Sequence, residues 1–263
     1  MPIFQFKGRV LPEFSDISIR NIPTVHYSET PHLPDLPNGL TVDITIAINR
    51  SLVDMICIVE QRGVSLSRVH NRAILYLRAF VDLNCFATGA PLSVILDSAI
   101  TPDGVIQSLQ PIHPTLRQLC TVTNPDTEFP GAFSFEVLDI ITREPALFLP
   151  IRDLISALSD TELAVVHCAR AIEGLRTIMV PNEENRGKAW GIFQENLNLG
   201  RAYREYIIAL STGPRHGDRK IWITGDQIDE TLKRSWTIMN RFLEFRKRGS
   251  QPLLAPEFAL LVG

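Results

Sequence analysis

What the sequence lacks narrows its class first. Its four cysteines, Cys57, Cys85, Cys120 and Cys168, lie far apart in apolar contexts with no CxxC pair and no Cys/His ligand spacing. That argues against a zinc site or a disulfide framework and predicts buried free thiols in a reducing cytoplasm. The glycine-bearing stretches ATGAP and ITPDG contain neither a P-loop nor a GxGxxG arrangement, so no nucleotide cofactor is implied. The longest uncharged apolar-rich stretch, LNCFATGAPLSVIL, is too short to span a bilayer and holds Gly and Pro. The opening MPIFQFKGRVLPEF is interrupted by Pro2, Lys7, Arg9 and Pro12, unlike a signal peptide. These absences predict a cytoplasmic protein with no membrane association. His26 and His32, even with Glu29 or Asp35, match no metal-ligand pattern, and no metal site is expected.

What is present fits an ordinary globular chain. The 263 residues are 45% hydrophobic and 21% charged, enough for a sizeable core and long enough for two domains. The net charge of −3 hides an asymmetry: residues 1–149 carry 10 basic against 15 acidic side chains, and residues 150–263 carry 16 against 14. Within 201–248 the balance is 11 basic to 6 acidic. A phosphate-friendly surface results if those residues share a face, and a solvated helical surface if they do not.

The first part of the chain reads as mixed. Proline-rich residues 1–38 predict short edge strands and turns, because proline removes a ladder donor. GLTVDITIAI alternates with period two, as in a half-buried strand. In SRVHNRAILYLRAFVDLNCFATG, residues Ile74, Leu77, Phe80, Val81 and Phe86 have helical spacing, and Gly89 ends the run. APLSVILDSAITPDG reads as a strand followed by a turn.

Pro145 and Pro150 mark a plausible boundary, after which helical patterns dominate. Ser159 with Glu162, and Thr224 with Gln227, form capping-box pairs. Val165, Cys168, Ala169, Ile172, Leu175 and Met179 make a helical stripe, and Ile228, Leu232, Trp236, Met239 and Phe242 make another. The expected fold class is therefore α+β: a mixed α/β domain over 1–145, an all-α bundle of four to five helices over 150–248, and an apolar tail over 249–263.

In this order of elements, ARAIEGLR lies in the first bundle helix and RHGD follows the penultimate one. Over about residues 150–248 this resembles the HEPN superfamily, whose members are small helical bundles, often dimeric and often metal-independent ribonucleases. The resemblance implies a homodimer through the bundle, RNA as a partner, no cofactor, and, if the protein is an enzyme, a metal-independent endoribonuclease. It places His216 in the family's histidine position.

Catalytic members carry an arginine separated from that histidine by a spacer of four to six residues, whereas Ser211, Leu210 and Ala209 occupy those positions here. A spaced match at Arg20-Asn21 through His26 contains Pro23 and lacks helical context. RNA cleavage of this kind needs a base near neutral pKa and a fixed cation for the developing phosphorane charge. The candidate catalytic pair is thus His216 and Arg215, with Arg204, Arg219, Lys220 and Trp222 as candidate nucleic-acid contacts. Tyr203, Tyr206 and Trp236 are either base-stacking or core residues.

The plainer reading of ALSTGPRHGD is a helix end and turn, with Pro214 as the stop and His216 as a cap. Two other functions remain consistent with the sequence: a dimerisation scaffold without enzymatic activity, and a regulatory protein whose N-terminal domain senses a ligand.

Overall fold

The structure, a computed structural model, describes residues 1–29, 39–109, 114–120, 135–218 and 223–263. It divides into two compact units, Met1–Pro111 and Ile112–Gly263. The fold class is α+β.

The first unit contains strands β1 (Ile3–Leu11), β2 (Val25–Ser28), β3 (Thr41–Asn49) and β4 (Leu52–Val59), helix α1 (Leu66–Thr88), and strands β5 (Ser93–Ile100) and β6 (Ile106–Ser108). The strands form one antiparallel sheet in the order β2-β3-β4-β1-β5-β6. Period-two alternation sends Phe4, Phe6, Val42, Ile44, Ile46, Val53, Met55 and Cys57 to one face, where all are buried. Helix α1 covers that face with Val69, Ala73, Leu77 and Val81, spaced four apart. Ser65 caps its start and Gly89, at φ 69°, takes the left-handed position that ends it. Phe86, the last residue of the helical spacing read from the sequence, is exposed.

The other face of the sheet presents Ile3, Leu52, Ile56 and Ile95 to solvent. Among them stand two ion pairs, Lys7 with Asp54 and Arg9 with Asp97, the latter a two-pronged contact at 2.9 Å for each bond.

The proline-rich start departs from expectation. β1 is nine residues long and lies inside the sheet, paired with β4 and β5. Pro2 and Pro12 flank this strand rather than interrupt it, so every ladder donor within it survives. The four-residue β2 is the edge strand that the sequence predicts.

Beside that edge, the half-buried Glu29 carboxylate accepts hydrogen bonds from Arg68 and from Arg72, the latter at 3.0 Å. The Arg72 guanidinium also lies 5.2 Å from the Tyr27 ring centre. Burial raises the Glu29 pKa, but the bonds from the two arginines outweigh it and hold the group below its ordinary 4.5. The stabilisation is therefore complete above the unfolded value and is lost as pH falls through the lower folded one. Glu29→Gln is expected to cost about 1 kcal/mol at neutral pH, allowing for solvent screening. In thermal unfolding the gap from wild type should close as pH drops well below 4.5; a gap independent of pH would contradict this account.

The second unit contains helices α2 (Pro114–Leu119), α3 (Phe135–Arg143), α4 (Phe148–Ser159), α5 (Ala164–Met179), α6 (Arg186–Leu197), α7 (Arg201–Arg215) and α8 (Gly225–Lys247). Helices α4 to α8 form the bundle, with α5 packed on α4, α7 and α8. Its core includes Leu154, Cys168, Ile172, Leu175, Phe193, Leu197, Ile207, Leu232, Trp236, Phe242 and Leu243.

The division falls at Pro111/Ile112, not near Pro145 and Pro150, because Leu116 of α2 and Val137 of α3 belong to this same core. Pro150 lies in the first turn of α4, where a missing N–H removes no helical bond. The Thr224/Gln227 capping box is formed. The Ser159/Glu162 box is not: the Ser159 hydroxyl donates to the Ser156 carbonyl, and α5 begins only at Ala164.

The apolar tail docks on the bundle. Leu253 is buried, and the Gly200 N–H at the start of α7 donates to the Leu261 carbonyl at 2.7 Å. Arg241 of α8 donates to the carbonyls of Leu197 and Asn198 at 2.8 Å each and to that of Ala259 at 2.6 Å. Among the described residues, no helix is long and apolar enough to cross a membrane.

Candidate functional site

Helix α7 continues through Gly213-Pro214 to Arg215, so most of ALSTGPRHGD is helical and Pro214 does not stop it. Termination comes two residues later. The His216 N–H bonds the Thr212 and Gly213 carbonyls, the Asp218 N–H also reaches Gly213, and Gly217 adopts φ 73°. His216 caps the helix through its backbone, as the plainer reading expects. Its exposed side chain has no hydrogen-bond or ion-pair partner among the described residues.

This helix end brings Arg215 to the Glu173 carboxylate of α5, at 3.3 Å. The same carboxylate accepts a 2.6 Å hydrogen bond from Arg186 at the start of α6. Glu173, Arg176, Glu183, Glu184, Arg186 and Arg215 line one open cleft of about 300 Å³. Glu183 at its rim is paired with Lys188 at 2.8 Å.

Trp190 of α6, only 6% exposed, adjoins the cleft through Arg176. The guanidinium carbons of Arg176 and Arg204 lie 4.9 and 4.7 Å from its ring centre, and Phe193 meets it edge-on at 5.6 Å. Nη1 of Arg176 and Nε of Arg204 are buried with no partner among the described residues. Burial is the main cause lowering both guanidinium pKa values. For Arg176 the neighbouring Arg186 adds to this; for Arg204 the Glu205 carboxylate opposes it while Arg201, Arg186 and Arg176 reinforce it. The cleft thus sets three guanidiniums beside the carboxylates of Glu173, Glu183 and Glu184.

The sequence candidates are thus dispersed. Arg215 lines the cleft, and His216 follows it on the exposed helix end. Arg204, expected as a surface contact, has a side chain only 11% exposed because its long apolar stem and planar head pack on Trp190. Arg219, Lys220 and Trp222 lie outside the described residues. Tyr203 and Tyr206 already carry the Arg234 guanidinium, at 4.8 and 4.2 Å, and Trp236 is buried, so these rings serve packing.

Five cleft residues were missed: Glu173, Arg176, Glu183, Glu184 and Arg186. The first two stand within ARAIEGLR three positions apart, a spacing that places them on one helix face.

Among the described residues, no group of His, Cys, Asp and Glu is arranged to hold a metal. None of the four cysteines forms a disulfide, and burial pushes the Cys57 and Cys168 thiols up to about 12, which makes them unreactive.

The class is therefore an α+β protein with an antiparallel sheet unit and a helical unit that bears an arginine-lined cleft. Residues 4–109 match the family model described as "Domain of unknown function (DUF8168) N-terminal domain", and residues 135–247 match the one described as "Domain of unknown function (DUF8168) C-terminal domain". Domain by domain, and in the same order, the chain is similar to the DUF8168 family. No curated protein and no solved structure matches it.

Proposed function

We propose that the C-terminal helical unit binds single-stranded RNA by its phosphates at the cleft between α5, α6 and α7. One observation carries this reading: three arginines from three helices, Arg176, Arg186 and Arg215, line a single open cleft. Arginine presents a rigid fork of donors that matches phosphate oxygens. The resemblance to HEPN bundles around ARAIEGLR and RHGD supports the choice of RNA.

Binding takes precedence over cleavage for a chemical reason. Cleavage needs a base together with a cation free to meet the developing charge. Arg215 lines the cleft, but His216, the candidate base, is not among the residues that line it.

The test is a titration of labelled single-stranded RNA at low and rising salt. Wild-type protein should bind, with affinity falling steeply as salt increases. Arg186→Ala and Arg215→Ala should each weaken binding by about three- to tenfold at low salt, with little dependence on sequence. Failure to bind at low salt would refute the reading, and cleavage that His216→Ala abolishes would extend it to a metal-independent ribonuclease. Sedimentation of the same complex reports whether a homodimer is the binding form, which the exposed α4 side chains Phe148, Leu149 and Ile155 favour.

A further inference from the structure

The geometry points to a phosphate seat between Arg186 and Arg215 in which the Glu173 carboxylate is an internal stand-in that an incoming phosphate displaces. This inference rests on the RNA-binding reading and assigns Glu173 the role of competitor at that site.

The argument begins with valence. Oε1 of Glu173 accepts from Nη2 of Arg186 at 2.6 Å, and Oε2 lies 3.3 Å from Nη1 of Arg215. Two guanidiniums from different helices thus converge on one two-oxygen anion. A phosphate offers the same pair of acceptor oxygens and further ones besides.

The third cleft arginine shows that Glu173 does not satisfy the site. Nη2 of Arg176 donates to the Thr177 hydroxyl at 3.2 Å, and its Nη1 has no partner among the described residues. Arg176 lines the same cleft, while Arg186 sits close enough to oppose its charge. The carboxylates of Glu173, Glu183 and Glu184 line the cleft beside the three guanidiniums, and Glu183 is engaged by Lys188; Glu173 bridges two of the guanidiniums, and a phosphate in its place has further oxygens to offer the third.

The contact is also suited to exchange. The Glu173 side chain is 21% exposed, and its partners Arg215 and Arg186 are 31% and 65% exposed. Ion pairs at this depth contribute little net stability, so separating them costs little. Glu173 stands on α5 in the interior of the bundle and cannot leave the cleft, so it competes with ligand at a fixed and high local concentration. The chemistry recognised is a phosphate group, supplied either by an RNA backbone diester or by a terminal or free phosphate.

Glu173→Gln tests the seat, because it keeps side-chain shape while removing the competing charge. The variant is expected to bind single-stranded RNA about three- to tenfold more tightly than wild type, and Arg186→Ala in the same chain should cancel the gain. Glu173→Asp, which keeps the charge, should gain less than Glu173→Gln. Inorganic phosphate should raise the melting temperature of Glu173→Gln more than that of wild type, a readout that does not depend on RNA.

Two oligonucleotides separate the sources. Equal gains with 5′-hydroxyl and 5′-phosphorylated RNA assign the seat to the backbone, and a gain confined to the phosphorylated one assigns it to a terminal phosphate; either result supports the seat. If wild type binds RNA but Glu173→Gln binds no tighter and responds no more to phosphate, the seat is wrong and the RNA-binding reading stands. If neither protein binds RNA yet phosphate stabilises Glu173→Gln selectively, the seat stands and the RNA reading falls. If neither ligand distinguishes the proteins and RNA is unbound, both fail.

Discussion

Arg241→Ala is expected to destabilise the C-terminal unit by about 3 kcal/mol, since hydrogen bonds to a charged group contribute about 1.5–3 kcal/mol each and do not add fully. The guanidinium gathers three carbonyls, those of Leu197 and Asn198 at the end of α6 and that of Ala259 in the tail. It lies 5.9 Å from the Phe258 ring centre as well. One side chain on α8 thus fastens both the α6–α7 turn and the docked tail, and alanine removes its donors from all three carbonyls, of which that of Asn198 keeps the Leu261 N–H. For a unit of this size the loss corresponds to roughly 6–12 °C in melting temperature. Arg241→Lys should recover only part of it, because an ammonium lacks the planar fork. A loss below about 1 kcal/mol would mean that packing of Leu253 and Phe258 holds the tail without the arginine.

Gly8→Ala should damage the other unit to a comparable extent, by about 3 kcal/mol, in the range seen when a side chain is forced into occupied space. Gly8 lies where the register of β1 against β5 shifts between Lys7 and Gly8. A Cβ at this position would stand 2.2 Å from the Ile95 carbonyl oxygen and 2.9 Å from Cδ2 of Leu96. The leucine can rotate, but the carbonyl belongs to the neighbouring strand and moves only if β1 and β5 separate. Thermal unfolding should show a lower midpoint, and amide exchange should quicken along β5 before it does along β3. An unchanged midpoint would show that the bulge relaxes at small cost.

How far the sequence foretold this architecture depends on whether each signal is local. Alternation in GLTVDITIAI and the Gly89 stop of α1 are properties of short segments, and both appear in the structure. Proline proved positional: Pro2 and Pro12 frame an interior strand, and Pro150 begins a helix inside a unit that starts some forty residues earlier. The Ser159/Glu162 pair has the right letters for a cap, yet α5 starts after both residues, since Asp160 rather than Ser159 accepts from the Leu163 N–H.

The site divides in the same way. RHGD stands out as a helix end, and Arg215 does line the cleft. Its partner Glu173 lies 42 positions away, and only the packing of α5 against α7 brings the two together. Helical periodicity shows which face of α5 is apolar. It carries no information about which charged residue of another helix will meet the polar face, and the Trp190 stack that largely buries Arg204 is hidden for the same reason.

The exposed face of the sheet bears on what could dock there. Ile3, Leu52, Ile56 and Ile95 would make a sticky surface if they were continuous, and a second sheet laid over them would bury considerable apolar area. Lys7, Asp54, Arg9 and Asp97 stand in their midst, already paired but still hydrated. Any flat partner would have to strip water from four charges to reach the isoleucines, and the attraction within each pair is no stronger afterwards than the hydration it replaces. The pairs therefore oppose the docking of a second sheet on this face.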